Sequence, residues 1–166
     1  ETQKIWAWGQ TSLVNYPKLE GIYYLYLVYF LTLSLFQLNV LAVEYPGYGV
    51  YQGIPNAKTI LEDAVSIFDF LVFHMKINSQ KIFLFGRSIG SGPATYLAAH
   101  RNPGMLVLLS AYTSIRDLVR SKIGSFAQFL VADRFRNIDE IQKVKSPCFF
   151  IHGSRDTLVP SSHTIE

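Results

Sequence analysis

The sequence predicts an α/β protein with a mostly parallel sheet, and three observations carry that prediction. Four short apolar runs, residues 40–44, 82–85, 106–109 and 148–151, recur along the chain. Each is hydrophobic at nearly every position, as a strand covered on both faces must be. Segments with helical spacing separate the last three from what precedes them, and strands that alternate with helices imply parallel crossovers with helices on both faces. At 166 residues, 49% hydrophobic and 16% charged, the chain carries enough apolar surface for one domain with a substantial core.

Residues 1–37 differ from the rest. No charged residue occurs from Gly21 to Val43, and Ile22 to Leu31 are apolar or aromatic throughout. The length admits a membrane span. Tyrosines spread along the run instead of gathering at two interfaces, and the run merges into Asn39-Val40-Leu41-Ala42-Val43, which reads as a buried strand. A helix followed by a core strand is therefore preferred, with a membrane segment as the alternative. Next, Pro46, Gly47 and Gly49 make a turn. Asn56 can cap a helix whose apolar positions Ile60, Leu61, Ala64, Val65, Ile67, Phe68, Leu71 and Val72 recur with helical spacing, ending near His74. The strand at 82–85 follows, then a helix to about His100, with Pro93 tolerated in its first turn. After the strand at 106–109, residues 111–145 hold two short helical patterns near 115–129 and 138–144, and the last strand closes the series.

Charge and cysteine content narrow the function classes. A net charge of +3 from 15 basic and 12 acidic side chains, without a basic block, gives no case for nucleic acid. One cysteine excludes an internal disulfide. Cys148 lies in an apolar run and reads as a buried structural thiol.

The chemistry concentrates at Gly86-Arg87-Ser88-Ile89-Gly90, which follows a strand and opens a helix. A serine on so tight a strand-to-helix turn has its hydroxyl thrown clear of the sheet edge, and the flanking glycines leave room for the close approach of strand and helix. Ser88 is thus a candidate nucleophile at the carboxyl end of a strand, where open parallel sheets bind ligands. Asp156 stands after the last strand and could orient a histidine that takes the serine proton. Arg87 could meet an anionic substrate group or pack its stem on the sheet edge. Asp117 reads as a first-turn acid on a helix. His74 and His100 fit helix ends, and His152 a packing role beside the loop.

Three blocks, Val43-Glu44-Tyr45-Pro46-Gly47-Tyr48-Gly49, Phe83 through Gly92 with the serine turn, and Pro147 through Pro160 with Ile151-His152-Gly153 and Asp156, resemble the α/β-hydrolase superfamily. More narrowly they resemble eukaryotic α/β-hydrolase-domain proteins, which include membrane-associated protein depalmitoylases and serine aminopeptidase-like relatives. The resemblance implies an α/β-hydrolase core over residues 38–166, incomplete at both ends. It implies Ser88 as nucleophile, Asp156 as triad acid and the backbone N–H of Ile89 as an oxyanion donor, with no metal and no organic cofactor. The expected activity is hydrolysis of an ester, thioester or amide, in particular of acyl-protein thioesterase type on an acylated protein or lipid-like ester. A cytoplasmic or membrane-associated location goes with it.

Two departures accompany the resemblance. The family's histidine follows the acid by roughly 25 residues, whereas the chain ends ten residues after Asp156. His163 is the substitute within reach. The loop supplying the second oxyanion amide has Trp6-Ala7-Trp8-Gly9-Gln10 as its candidate. The alternative function is a non-catalytic binding protein, or an inactive fragment, that keeps the fold.

Overall fold

The computed structural model of the protein describes residues 5–9, 38–48, 51–124, 132 and 134–165. Five strands form one parallel sheet: β1 (Ile5–Gly9), β2 (Asn39–Val43), β3 (Ile82–Arg87), β4 (Met105–Leu109) and β5 (Cys148–Ile151). Their order in space is β2-β1-β3-β4-β5, so the strand leading to Ser88 is central, as its sequence predicts. Ile82 and Leu84 of β3 and Leu106 of β4 are almost wholly buried.

One strand was not among those read from the sequence. Ile5–Gly9, expected outside the core with the rest of residues 1–37, inserts between β2 and β3, with Gly9 in register with Val43 on one side and Gly86 on the other. Isoleucine and two tryptophans suit a strand, but five residues carry too little periodicity to announce one. Residues 10–37, including the helix or membrane segment expected there, lie outside the described residues. Among the described residues no helix is long and apolar enough to cross a membrane.

The helices are α1 (Ala57–Asp69), continued by a π-helical turn over Phe70–His74, then α2 (Ser91–Arg101), α3 (Ile115–Ile123), α4 (Asn137–Ile141) and α5 (Ser162–Ile165). Asn56 caps α1 as its sequence predicts: its Oδ1 accepts the Lys58 N–H at 2.9 Å. The α1 stripe of Ala64 and Phe68, with Leu71 just beyond, packs with Ala94, Leu97 and Ala98 of α2 onto Ile82, Leu84, Leu106 and Leu108. Arg101 closes the α1–α2 contact through two hydrogen bonds, at 2.7 and 3.0 Å, to the Asp69 carboxylate.

Cys148 corrects an expectation. It is exposed, and so are Phe149, Phe150 and Ile151 beside it. The reason is position: among the described residues β5 is an edge strand, paired with β4 alone. An apolar run in sequence does not distinguish an edge strand from a covered one.

Candidate active site

The carboxyl ends of β3, β4 and β5 lie side by side, and the candidate residues Ser88 and Asp156 follow two of them. β3 leaves the sheet at Arg87 and turns at Ser88, whose φ of 48° is a left-handed conformation that non-glycine residues rarely adopt. A single turn over Ser88–Gly90 follows and runs into α2. Gly86 makes this corner buildable. A Cβ there would fall 2.6 Å from the Gly90 carbonyl oxygen and 2.8 Å from the Ala94 Cβ, so any side chain would push strand and helix apart. The Ser88 hydroxyl has no hydrogen-bond partner among the described residues. The Ile89 N–H sits in a first turn, where amides lack intrahelical acceptors, while the Ile89 carbonyl accepts the Tyr112 hydroxyl at 3.3 Å.

A buried polar cluster anchors the helix behind the serine. Ser91 is fully buried, and its Oγ accepts from Asn137 Nδ2 at 2.9 Å. The same amide donates to the Tyr112 carbonyl at 3.0 Å. Asn137 thereby ties α4 to α2 and to the segment after β4 with both of its amide protons. Burial pushes the Tyr112 phenol far above its ordinary range, so it remains a neutral donor.

Asp156 lies in the loop after β5, and its carboxylate is held by three donors. Oδ1 accepts the N–H groups of Leu158 and Val159, both at 2.9 Å, and Oδ2 accepts the Ser110 hydroxyl at 2.8 Å. The Val159 amide foremost, with Ser110, Leu158 and His152 assisting, holds the carboxyl below its ordinary value of 3.8 against partial desolvation. His152 packs beside the loop as its sequence predicts. Its Nε2 lies 2.8 Å from the Val159 carbonyl, which can only accept, so Nε2 carries the proton; Nδ1 meets Thr164 Oγ1 at 2.6 Å.

The remaining candidates fall as follows. Asp117 is a helix-start residue: its N–H donates to Ser114 Oγ at 3.0 Å, and its Oδ2 accepts from Ser114 and Thr113. The His163 ring meets Thr113 Oγ1 at 2.9 Å and Ser121 Oγ at 3.5 Å. His100 pairs with Glu140 at 3.0 Å, and His74 stacks on Phe70. Arg87 is partly buried at the end of β3. Among the described residues no three His, Cys, Asp or Glu side chains converge on a metal site.

Ser88 and Asp156 thus share one rim, at the ends of the two strands that flank β4. Adjacent strands are spaced about 4.8 Å, which sets the two strand ends roughly 10 Å apart, with Ser110 between them. Gly9, opposite Gly86, brings the end of β1 to the same rim, and Gln10 and its successors lie outside the described residues. An apolar cavity of about 40 Å³ sits beneath the corner, lined in part by Val43, Tyr45, Phe85, Gly90 and Pro93. A wider groove of about 570 Å³ runs along β2 and α1, past Leu41, Glu44, Asp63 and Phe70, away from the serine. Sequence reading did not find Ser110 or Asn137. Their side-chain partners, Asp156 and Ser91, are each 46 residues distant, and no local pattern marks such a pair.

No protein-family model matches the chain. Among curated proteins it is 31% identical over 125 residues to alpha/beta hydrolase domain-containing protein 17B of Homo sapiens, covering 75% of the chain and 42% of that protein. It is 30% identical over 127 residues to alpha/beta hydrolase domain-containing protein aho-3 of Caenorhabditis elegans, covering 76% and 37%. Protein bem46 of Schizosaccharomyces pombe is 30% identical over 133 residues, covering 76% and 44%. The chain spans less than half the length of these relatives. Among solved structures, an acetyl xylan esterase from Paenibacillus sp. R4 superposes with a TM-score of 0.71 at 16% identity, over 98% of the chain and 63% of that structure. An alpha-beta hydrolase from Vibrio vulnificus gives 0.67 at 20%, over 88% and 55%. At these identities the structural likeness shows the fold.

Proposed function

The chain belongs to the eukaryotic α/β-hydrolase-domain proteins, and from that premise we propose that it is a serine hydrolase with Ser88 as nucleophile, Asp156 as acid and the Ile89 N–H as oxyanion donor. The observation that carries this reading is the left-handed corner at Ser88 between β3 and α2, which leaves its hydroxyl without a partner among the described residues, on the rim that also holds Asp156. In this mechanism an imidazole between the two takes the Ser88 proton as Oγ attacks an acyl carbon. Asp156 accepts the other ring N–H and fixes its tautomer. The negative charge developing on the acyl oxygen falls on the first-turn amide of Ile89, where a preorganised donor is worth more than in water. Gln10, next in sequence after Gly9 at the end of β1, is the candidate for the second donor. In the order serine, acid, histidine, the imidazole is the third member of the set.

Substrates are acyl esters and thioesters, with an acylated protein or lipid-like ester as the natural class. The test compares wild type and Ser88→Ala in a chain extended through the next strand and its histidine, on p-nitrophenyl acetate, p-nitrophenyl octanoate and an S-palmitoylated peptide. The reading expects turnover that Ser88→Ala lowers by at least about a thousandfold, with the long-chain substrates preferred. Turnover unaffected by Ser88→Ala overturns the nucleophile, and preference for acetate overturns the substrate class. No turnover on any of the three would favour the non-catalytic alternative.

A further inference from the structure

Ser88 is not the only serine at a left-handed corner. Ser110, directly after β4, has φ 50°, so two neighbouring parallel strands end on the same uncommon conformation at the same rim. A non-glycine residue persists there only when its surroundings over-determine it. At Ser110 the surroundings are explicit. Its N–H donates to the Ile151 carbonyl at 2.9 Å, and its hydroxyl donates to Asp156 Oδ2 at 2.8 Å.

A carboxylate offers about four lone-pair positions, two on each oxygen. Both positions on Oδ1 are filled, by Leu158 N–H and Val159 N–H. One on Oδ2 is filled by Ser110. His152 Nε2 stands 3.6 Å from Oδ2 but spends its proton on the Val159 carbonyl. Among the described residues a single acceptor direction is left, on Oδ2, and Ser110 occupies the other half of that oxygen.

We propose that Ser110 is a positioning residue for the acid: its hydroxyl fixes the remaining Oδ2 lone pair as the one direction from which the base can be held. The proposal rests on the assignment of Asp156 as the acid. Without the hydroxyl, Oδ1 keeps its two amides, but Oδ2 presents two open directions, one of them for water. The imidazole N–H is then held in more than one orientation, and catalysis falls while substrate binding does not.

The experiment uses two substitutions that tolerate a positive φ. Ser110→Gly removes the donor and relieves the corner; Ser110→Asn tolerates the corner and restores a donor. The first readout is the Asp156 carboxyl titration by 13C NMR on the full chain, assigned through Asp156→Asn, which needs no activity. Ser110→Gly should move it upward and Ser110→Asn should return it toward wild type. The second readout is p-nitrophenyl acetate turnover against pH in the extended chain. Ser110→Gly should lower kcat about tenfold with KM unchanged and shift the acid limb upward. An unmoved Asp156 titration in Ser110→Gly, with turnover that still depends on Asp156, overturns the role of Ser110 alone. Turnover indifferent to Asp156→Asn overturns the acid assignment and the role of Ser110 with it.

Discussion

Asp156 shows how a single residue's surroundings become measurable in the whole chain. Hydrogen bonds from Val159, Ser110 and Leu158 hold its carboxyl below the ordinary 3.8. Its folded-state affinity for a proton is lower than its unfolded one, so the contribution to stability is fully present above the unfolded value. It is lost as pH falls through that value toward the depressed one. Urea unfolding between about pH 6 and pH 3 should therefore show a decline that Asp156→Asn makes shallower. Parallel declines in the two proteins would mean that these donors do not favour the ionised form. The same residue was legible in the sequence only in outline. Its place after an apolar strand marked it, but one of its three donors is Ser110, which nothing in residues 105–110 distinguishes from any serine closing a strand.

At the scale of elements, the helices were legible wherever one face is apolar and a cap precedes it. Asn56 with Ile60, Ala64 and Phe68 is such a case, and α1 forms where that pattern lies. α4 is different. It has five residues, too few to be stable from their own propensity, and it is held by Asn137 donating to Ser91 and to Tyr112. Asn137→Ala leaves the buried Ser91 hydroxyl and Tyr112 carbonyl short of a donor, at a cost of about 1–3 kcal/mol. Because Ser91 directly follows the Ser88–Gly90 turn, the variant should also speed amide hydrogen exchange at residues 89–92. A loss of stability without faster exchange there would place the function of Asn137 in α4 alone. β1 and β5 mark the limit of pattern reading. Trp6 and Trp8 sit in the middle of the sheet although their strand is too short to signal itself, and Cys148–Ile151 reads as a covered strand yet forms an edge.

For the whole molecule, that edge has a consequence. Phe149 is 57% exposed, with Phe150 and Ile151 close behind, on a strand whose outer hydrogen-bonding groups face no described neighbour. Unpaired apolar edges recruit further strands. The 166-residue chain should self-associate at micromolar concentration in sedimentation experiments, and Phe149→Lys with Ile151→Lys should restore a monomer; a monomeric wild type would contradict this. The central claim lies at the carboxyl ends of the strands, where the fold places Ser88 on a strained corner and Asp156 on the same rim. Its most direct measurement is fluorophosphonate labelling of the chain, followed by tandem mass spectrometry of the adduct, with and without the sequence that follows Glu166. The account predicts a covalent phosphonate on Ser88, strong in the extended chain, feeble in the 166-residue chain and absent from Ser88→Ala. Labelling at another serine, or no labelling of the extended chain, would contradict it.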